Sequence, residues 1–129
     1  IYTLSLHDAL PILVILKNLK PSTRQRFVAL GFDYPAPDVE QRIVETEAKA
    51  APELAARLIR LATALRRLTD QDLEETVSTR LLVVAARLIV AGLDERTACC
   101  AAIVDALTDD HDTAAALDEV VQAVWEPQD

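Results

Sequence analysis

The chain is predicted to be mostly α-helical, a helical bundle preceded by one orphan β-strand. Three observations predict this. Only two of the 129 residues are glycine, and Ala and Leu are abundant, a composition that favours helix. Leu54, Leu58, Leu61, Leu65 and Leu68 recur at alternating steps of four and three, the spacing of an amphipathic helix. Phe27 to Tyr34 is apolar and aromatic and is stopped by Pro35 and Pro37, which reads as a strand. A lone strand cannot satisfy its backbone, so it is expected to need a sheet that this sequence does not contain.

The first twelve residues, IYTLSLHDALPI, match one translated frame of a common sequencing-library adapter. Ile1 to Ile12 are therefore read as a non-native scar and excluded from fold reasoning. The native reading frame is expected to continue upstream. His7 then carries no functional weight.

Element by element, Pro21 suits a first helical turn, so Pro21 to Arg26 is expected to form one short helix. Pro35-Ala36-Pro37 reads as a hinge, and five helices are expected after it. The first runs from Asp38, as N-cap, to Ala50, with Val39, Ile43 and Val44 as its thin apolar face. The second begins at Pro52 and carries the leucine stripe, with Arg57, Arg60 and Arg67 off it. Thr69 to Thr76 is a polar break. The third is capped by Ser78, buries Leu81, Leu82, Ala85, Leu88 and Ile89, and stops at Gly92. The fourth starts at Asp94 and ends near Leu107. The fifth is capped by Asp112 and turns Leu117, Val120, Val121, Val124 and Trp125 to one side. Loops this short favour antiparallel neighbours in a bundle.

The formal charge of −8 argues against a nucleic-acid binder, which would show a basic field. From Asp105 to Asp129 there are eight acids and no Lys or Arg, the composition of a solvated face. No apolar run is long enough to span a membrane. Cys99 and Cys100 are adjacent on a helical pattern and point to different faces, so a disulfide between them is not expected. Reduced thiols in the cytoplasm are the default. His111 has no second histidine near it, and no metal site is expected.

No complete catalytic constellation is present. The Gly-rich GKS/GKT phosphate loop and an acidic Walker-B strand are both missing, so this chain alone is not expected to be an enzyme. Three arginines are candidates for chemistry. Arg24 and Arg26 lie in a basic stretch with Lys17 and Lys20 that contains no acid. Composition alone makes it a basic surface turn. Arg80, in VSTRLL, puts a cation at a positive helix start, against the helix dipole. A local rule broken without visible gain suggests function, and a phosphate there would be bound by the arginine and the helix amides together. The bland reading pairs Arg80 with Glu74 or Glu75, or leaves it simply exposed on the surface.

The segments LKPSTRQRFVALGFDYP, STRLLVVAARLI and AAIVDALTDD resemble the C-terminal part of MoxR-type AAA+ ATPases, most closely the CbbQ/NirQ/NorQ group. The resemblance spans about Leu16 to Trp125. It implies that residues 13–36 end an AAA+ core and that residues 37–129 form its C-terminal helical lid. Arg26 then falls at the arginine-finger position, acting in trans on a neighbouring subunit's nucleotide, with Arg24 as second candidate. Arg80 falls at the sensor-2 position, facing ATP phosphate. The sensor-1 asparagine expected upstream of Leu16 is absent, and Asn18 is misplaced to replace it. The parent implied is a ring-forming, hexameric ATP hydrolase using ATP and Mg²⁺, neither of which this chain alone is expected to bind. It would remodel a nitric oxide reductase type metalloenzyme or rubisco, with a von Willebrand A-domain adaptor as partner. The rival is a non-catalytic helical interaction module.

Overall fold

Three helices open on a proline, whose fixed φ suits the first helical position and whose missing N–H is no loss there. The computed structural model describes residues 19–72 and 76–126, except for the side chains of residues 69–72. The reading of Ile1–Ile12 as a scar, and Glu74 and Glu75 as partners for Arg80, lie outside the described residues. The chain divides into two units, Ile1–Tyr34 and Pro35–Asp129.

In the first unit, α1 spans Pro21–Arg24. Its end tightens through Arg26 N–H to the Thr23 carbonyl at 3.1 Å and Phe27 N–H to the Arg24 carbonyl at 3.2 Å. The helix expected to reach Arg26 therefore stops at Arg24 and continues as a turn. The strand expected over Phe27–Tyr34 is not formed, and residues 28–36 are irregular. No strand is present among the described residues, so the segment has no ladder to join. Phe27, Leu30 and Phe32 stay exposed, and Val28 is 87% exposed.

In the second unit, α2 is Pro37–Ala48, α3 Pro52–Asp72 and α4 Thr79–Val90. Helix α5 begins as Glu95–Cys99, widens into a π-turn at Cys100–Val104 and finishes as Asp105–Leu107. Helix α6 is His111–Trp125. Helix α2 packs on α3 and α4, α3 on α4 and α6, and α5 on α4 and α6. One core joins them, with Leu58, Leu61, Leu65, Leu82 and Ile103 fully buried. The expected leucine stripe forms, but Leu68 is 52% exposed. Helix α3 also runs to Asp72, into the expected polar break, because nothing in Thr69–Asp72 is a helix breaker.

Several ends differ from the sequence reading. Ala36, not Asp38, is the N-cap of α2; Pro37 takes the first helical position, and Asp38 moves into the first turn, where an acid complements the dipole. Lys49, at φ 52°, ends α2 before Ala50. Asp110, not Asp112, caps α6, accepting from Thr113 N–H at 2.8 Å and its hydroxyl at 2.7 Å. Gly92, at φ 109°, ends α4 as expected. There Leu93 N–H reaches the Leu88 carbonyl at 3.0 Å and Gly92 N–H the Ile89 carbonyl at 2.9 Å, the paired bonds of a Schellman ending. Asp94 caps α5 as expected, accepting from Thr97 N–H at 3.0 Å.

Candidate functional site

Arg80 is the second residue of α4 and is exposed. Ser78 takes the N-cap position in extended backbone but makes no side-chain bond to the first turn. Behind this helix start lies a network that joins three elements. The Thr79 hydroxyl donates to Glu40 Oε1 at 2.7 Å. Arg66 donates from Nη2 to Glu40 Oε1 at 2.7 Å and from Nη1 to Oε2 at 2.9 Å, a bidentate pair. Arg66 Nε donates to the Val77 carbonyl at 2.9 Å. Glu40 is 1% exposed and the Arg66 side chain 15%. The first turn of α2, the middle of α3 and the entry to α4 are thus tied by one buried carboxylate.

Sequence reasoning missed both members of this pair. Glu40 was one acid among many, and Arg66 sat beside Arg67 in a helix whose other arginines face solvent. A signal existed. Glu40, Val44 and Ala48 share one face of α2 at four-residue spacing, and Ile59, Ala62 and Arg66 share one of α3. Charged groups at buried spacing on two helices require each other, because burying either alone is costly.

Arg24 ends α1 and Arg26 lies in the turn after it; both are exposed. They belong to the first unit and Arg80 to the second. Among the described residues no group of His, Cys, Asp or Glu is arranged to hold a metal, and no helix is long and apolar enough to cross a membrane.

A second polar cluster lies where α5 meets α6. Arg96 Nε donates to Asp118 Oδ1 at 3.1 Å, Nη2 pairs with Oδ2, and the Cys100 thiol donates to Oδ1 at 3.0 Å. Hydrogen bonds from Arg96 and then Cys100 hold the Asp118 carboxyl down to about 2. Burial, then the Asp118 hydrogen bond and charge, push the Cys100 thiol up to about 12. Burial pushes Cys99 up to about 11; the Trp125 indole, whose buried Nε1 bonds no oxygen or nitrogen, opposes that shift. Both cysteines are free thiols, and neither is activated as a nucleophile. The Arg57 guanidinium lies 5.4 Å from the ring centroid of the same Trp125, stapling α3 to α6.

The Asp118 contact has a pH signature. Its folded pKa lies below the value of about 3.9 for an unfolded chain, so its contribution is fully present above that pH and is lost as pH falls toward 2. The contact is partly exposed and screened by solvent, so its size is small. Asp118→Asn is expected to lower stability most at neutral pH, with the gap to wild type closing as pH drops. Urea titrations across that range check this; a gap independent of pH would rule out the ionic contact.

The family model described as CbbQ/NirQ/NorQ C-terminal matches residues 40–124, which include Glu40, Arg66, Thr79 and Arg80. Denitrification regulatory protein NirQ of Pseudomonas aeruginosa is 58% identical over 107 residues, covering 83% of this chain and 41% of that protein. Protein NorQ of Paracoccus denitrificans is 47% identical over 111 residues, 86% of this chain and 41% of its own length. Protein CbbQ of Hydrogenophilus thermoluteolus is 43% identical over 110 residues, 85% of this chain and 41% of its own length. The chain thus spans about two fifths of the length of these relatives. With the family model matched over most of the helical unit, and relatives of all three names matched over more than four fifths of the sequence, the chain belongs to the CbbQ/NirQ/NorQ family and carries its C-terminal region.

Proposed function

We propose that the second unit is the lid of a ring-forming AAA+ ATPase, and that Arg80 reads the nucleotide as the lid closes. The observation that carries this reading is the position of Arg80. It is exposed in the first turn of a twelve-residue helix, uncapped by Ser78, and backed by a buried ion pair. A guanidinium and first-turn amides suit phosphate oxygens, because both are fixed donors and the helix start is positive. ATP with Mg²⁺ supplies the phosphoryl group; this chain supplies charge and orientation. Arg80 binds phosphate only in the closed lid, so lid position follows nucleotide state. Arg26, or failing it Arg24, stabilises charge on the phosphoryl group bound by the adjacent subunit.

The complete protein is proposed to be a cytoplasmic hexamer. Its work is the remodelling of a client, either a metalloenzyme of nitric oxide reductase type or rubisco, reached through a von Willebrand A-domain adaptor. The name of the 58% identical relative, a denitrification regulatory protein, supports the first client.

Arg80→Ala tests the reading in the complete protein with this chain as its C-terminal region. A lost charge-assisted bond predicts turnover lower by about tenfold or more. Phosphate release and nucleotide affinity are the measurements. Wild-type values of both would refute the sensor role.

A further inference from the structure

The buried network lies directly behind Arg80, and its geometry points to more than packing. Thr79, the residue before Arg80, is held by a 2.7 Å bond to Glu40. Val77, two residues before Thr79, is fully buried and its carbonyl is held by Arg66 at 2.9 Å. The chain entering α4 is therefore clamped on both sides of Ser78. Glu40 also has a second attachment. Its amide donates to the carbonyl of Ala36 at 2.9 Å, between Pro35 and Pro37. This is the first backbone bond of α2, so the carboxylate that holds Thr79 is carried by the first turn of that helix.

We propose that Glu40, Arg66 and Thr79 form a positioning latch that sets the pose of Arg80 for hydrolysis. The inference rests on the sensor reading of Arg80 and adds three residues to it, none of which touches nucleotide. Two features distinguish a latch from ordinary core. Its bonds are directional, with Arg66 reaching both Glu40 oxygens and the Val77 carbonyl, and Oε1 of Glu40 shared by Arg66 and Thr79. It also acts on the backbone next to Arg80 rather than on the apolar face of α4, where Leu82, Ala85 and Ala86 already supply the packing. The side chain of Arg80 projects from that backbone, so fixing the backbone fixes the point from which the guanidinium reaches.

A double-mutant cycle on Thr79 and Arg80, in the complete protein with this chain as its C-terminal region, tests the latch. Thr79→Val keeps the side-chain shape and removes only the donor to Glu40. It is expected to lower kcat about fivefold with little change in KM, a fraction of the worth of one hydrogen bond to a charged partner because the loss acts through Arg80. Thr79→Ser, which restores the donor, is expected to return kcat to wild type. In the Arg80→Ala background, Thr79→Val is expected to have almost no further effect, because coupled residues are not additive. Equal losses from Thr79→Val in both backgrounds would overturn the latch and leave Thr79 as a merely structural contact. No loss from Thr79→Val in wild type would also overturn it. If Arg80→Ala itself leaves turnover unchanged, the sensor reading fails instead, so the two failures are separable. Should Thr79→Val rings fail to assemble, Glu40→Gln, which keeps an acceptor toward Thr79 but loses the charge toward Arg66, runs the same cycle with the same expected non-additivity.

Discussion

Arg26→Ala in the complete protein is expected to leave ATP affinity intact and to lower turnover by at least about tenfold, a cautious threshold beside the roughly 10³ to 10⁵ supplied by arginine fingers elsewhere. The residue is exposed in a turn whose only regular structure is the four-residue α1. It has a planar, permanently charged fork, and its backbone is tied by a 3.1 Å bond to the Thr23 carbonyl. On the reading proposed above, such a group meets a phosphate presented by the adjacent subunit. The cis and trans alternatives are separated by mixing Arg26→Ala subunits with subunits disabled in their phosphate loop. A trans finger makes some interfaces in mixed rings complete, with an intact nucleotide site on one side and an intact arginine on the other, so part of the activity returns. Mixed rings that assemble normally but stay as inactive as either parent would remove Arg26 from the finger role and make Arg24 the residue to test.

Glu40→Ala is expected to destabilise the helical unit by about 3–5 kcal/mol, because it removes the buried carboxylate from a bidentate ion pair. Domain stabilities are about 5–15 kcal/mol, so this loss approaches unfolding. Arg66 would keep its bond to the Val77 carbonyl but lose both bonds to the carboxylate, and Thr79 would lose its acceptor. Removing Asp38 from its exposed 3.8 Å contact with Arg42 is the control, with an expected change within about 0.5 kcal/mol. Urea unfolding of this chain measures both. A loss for Glu40→Ala no larger than that of the control would mean that the pair is not buried in solution. Replacing Glu40 and Arg66 together by Leu and Met is expected to recover much of the loss, since an apolar pair of similar volume leaves no charge to bury.

Local pattern carried far in this chain. The leucine stripe of α3, the Gly92 ending of α4, the Asp94 cap of α5 and the apolar side of α6 were all legible, because each depends on residues within one or two turns. The caps that misled were also local, but degenerate. At the start of α6, both Asp110 and Asp112 are suitable acids, and Thr113 chose the first by donating twice to it. At the start of α2, Asp38 looked like a cap only until Pro37 took the first helical position. The π-turn at Cys100–Val104 had no comparable mark. Ala102, Ile103 and Val104 are consecutive and all buried, and an α-helical reading must turn one of them away from the core.

Helix content, the order of the helices and the apolar faces that meet were all readable along the chain, whereas the roles expected of Arg24, Arg26 and Arg80 came from the family resemblance. Periodicity and turn chemistry suffice for the helices. The sequence also proposed a strand over Phe27–Tyr34, but strand propensity is realised only when a second backbone supplies hydrogen bonds, and none does so among the described residues. That Glu40 is a buried anchor rather than a surface acid, with Arg66 and Thr79 converging on it across 26 and 39 residues of chain, emerged only from the packing of the helices. The physical reason is that a charge can be buried only where folding brings its counter-charge and donors within bonding distance, a condition that no window of sequence around Glu40 contains.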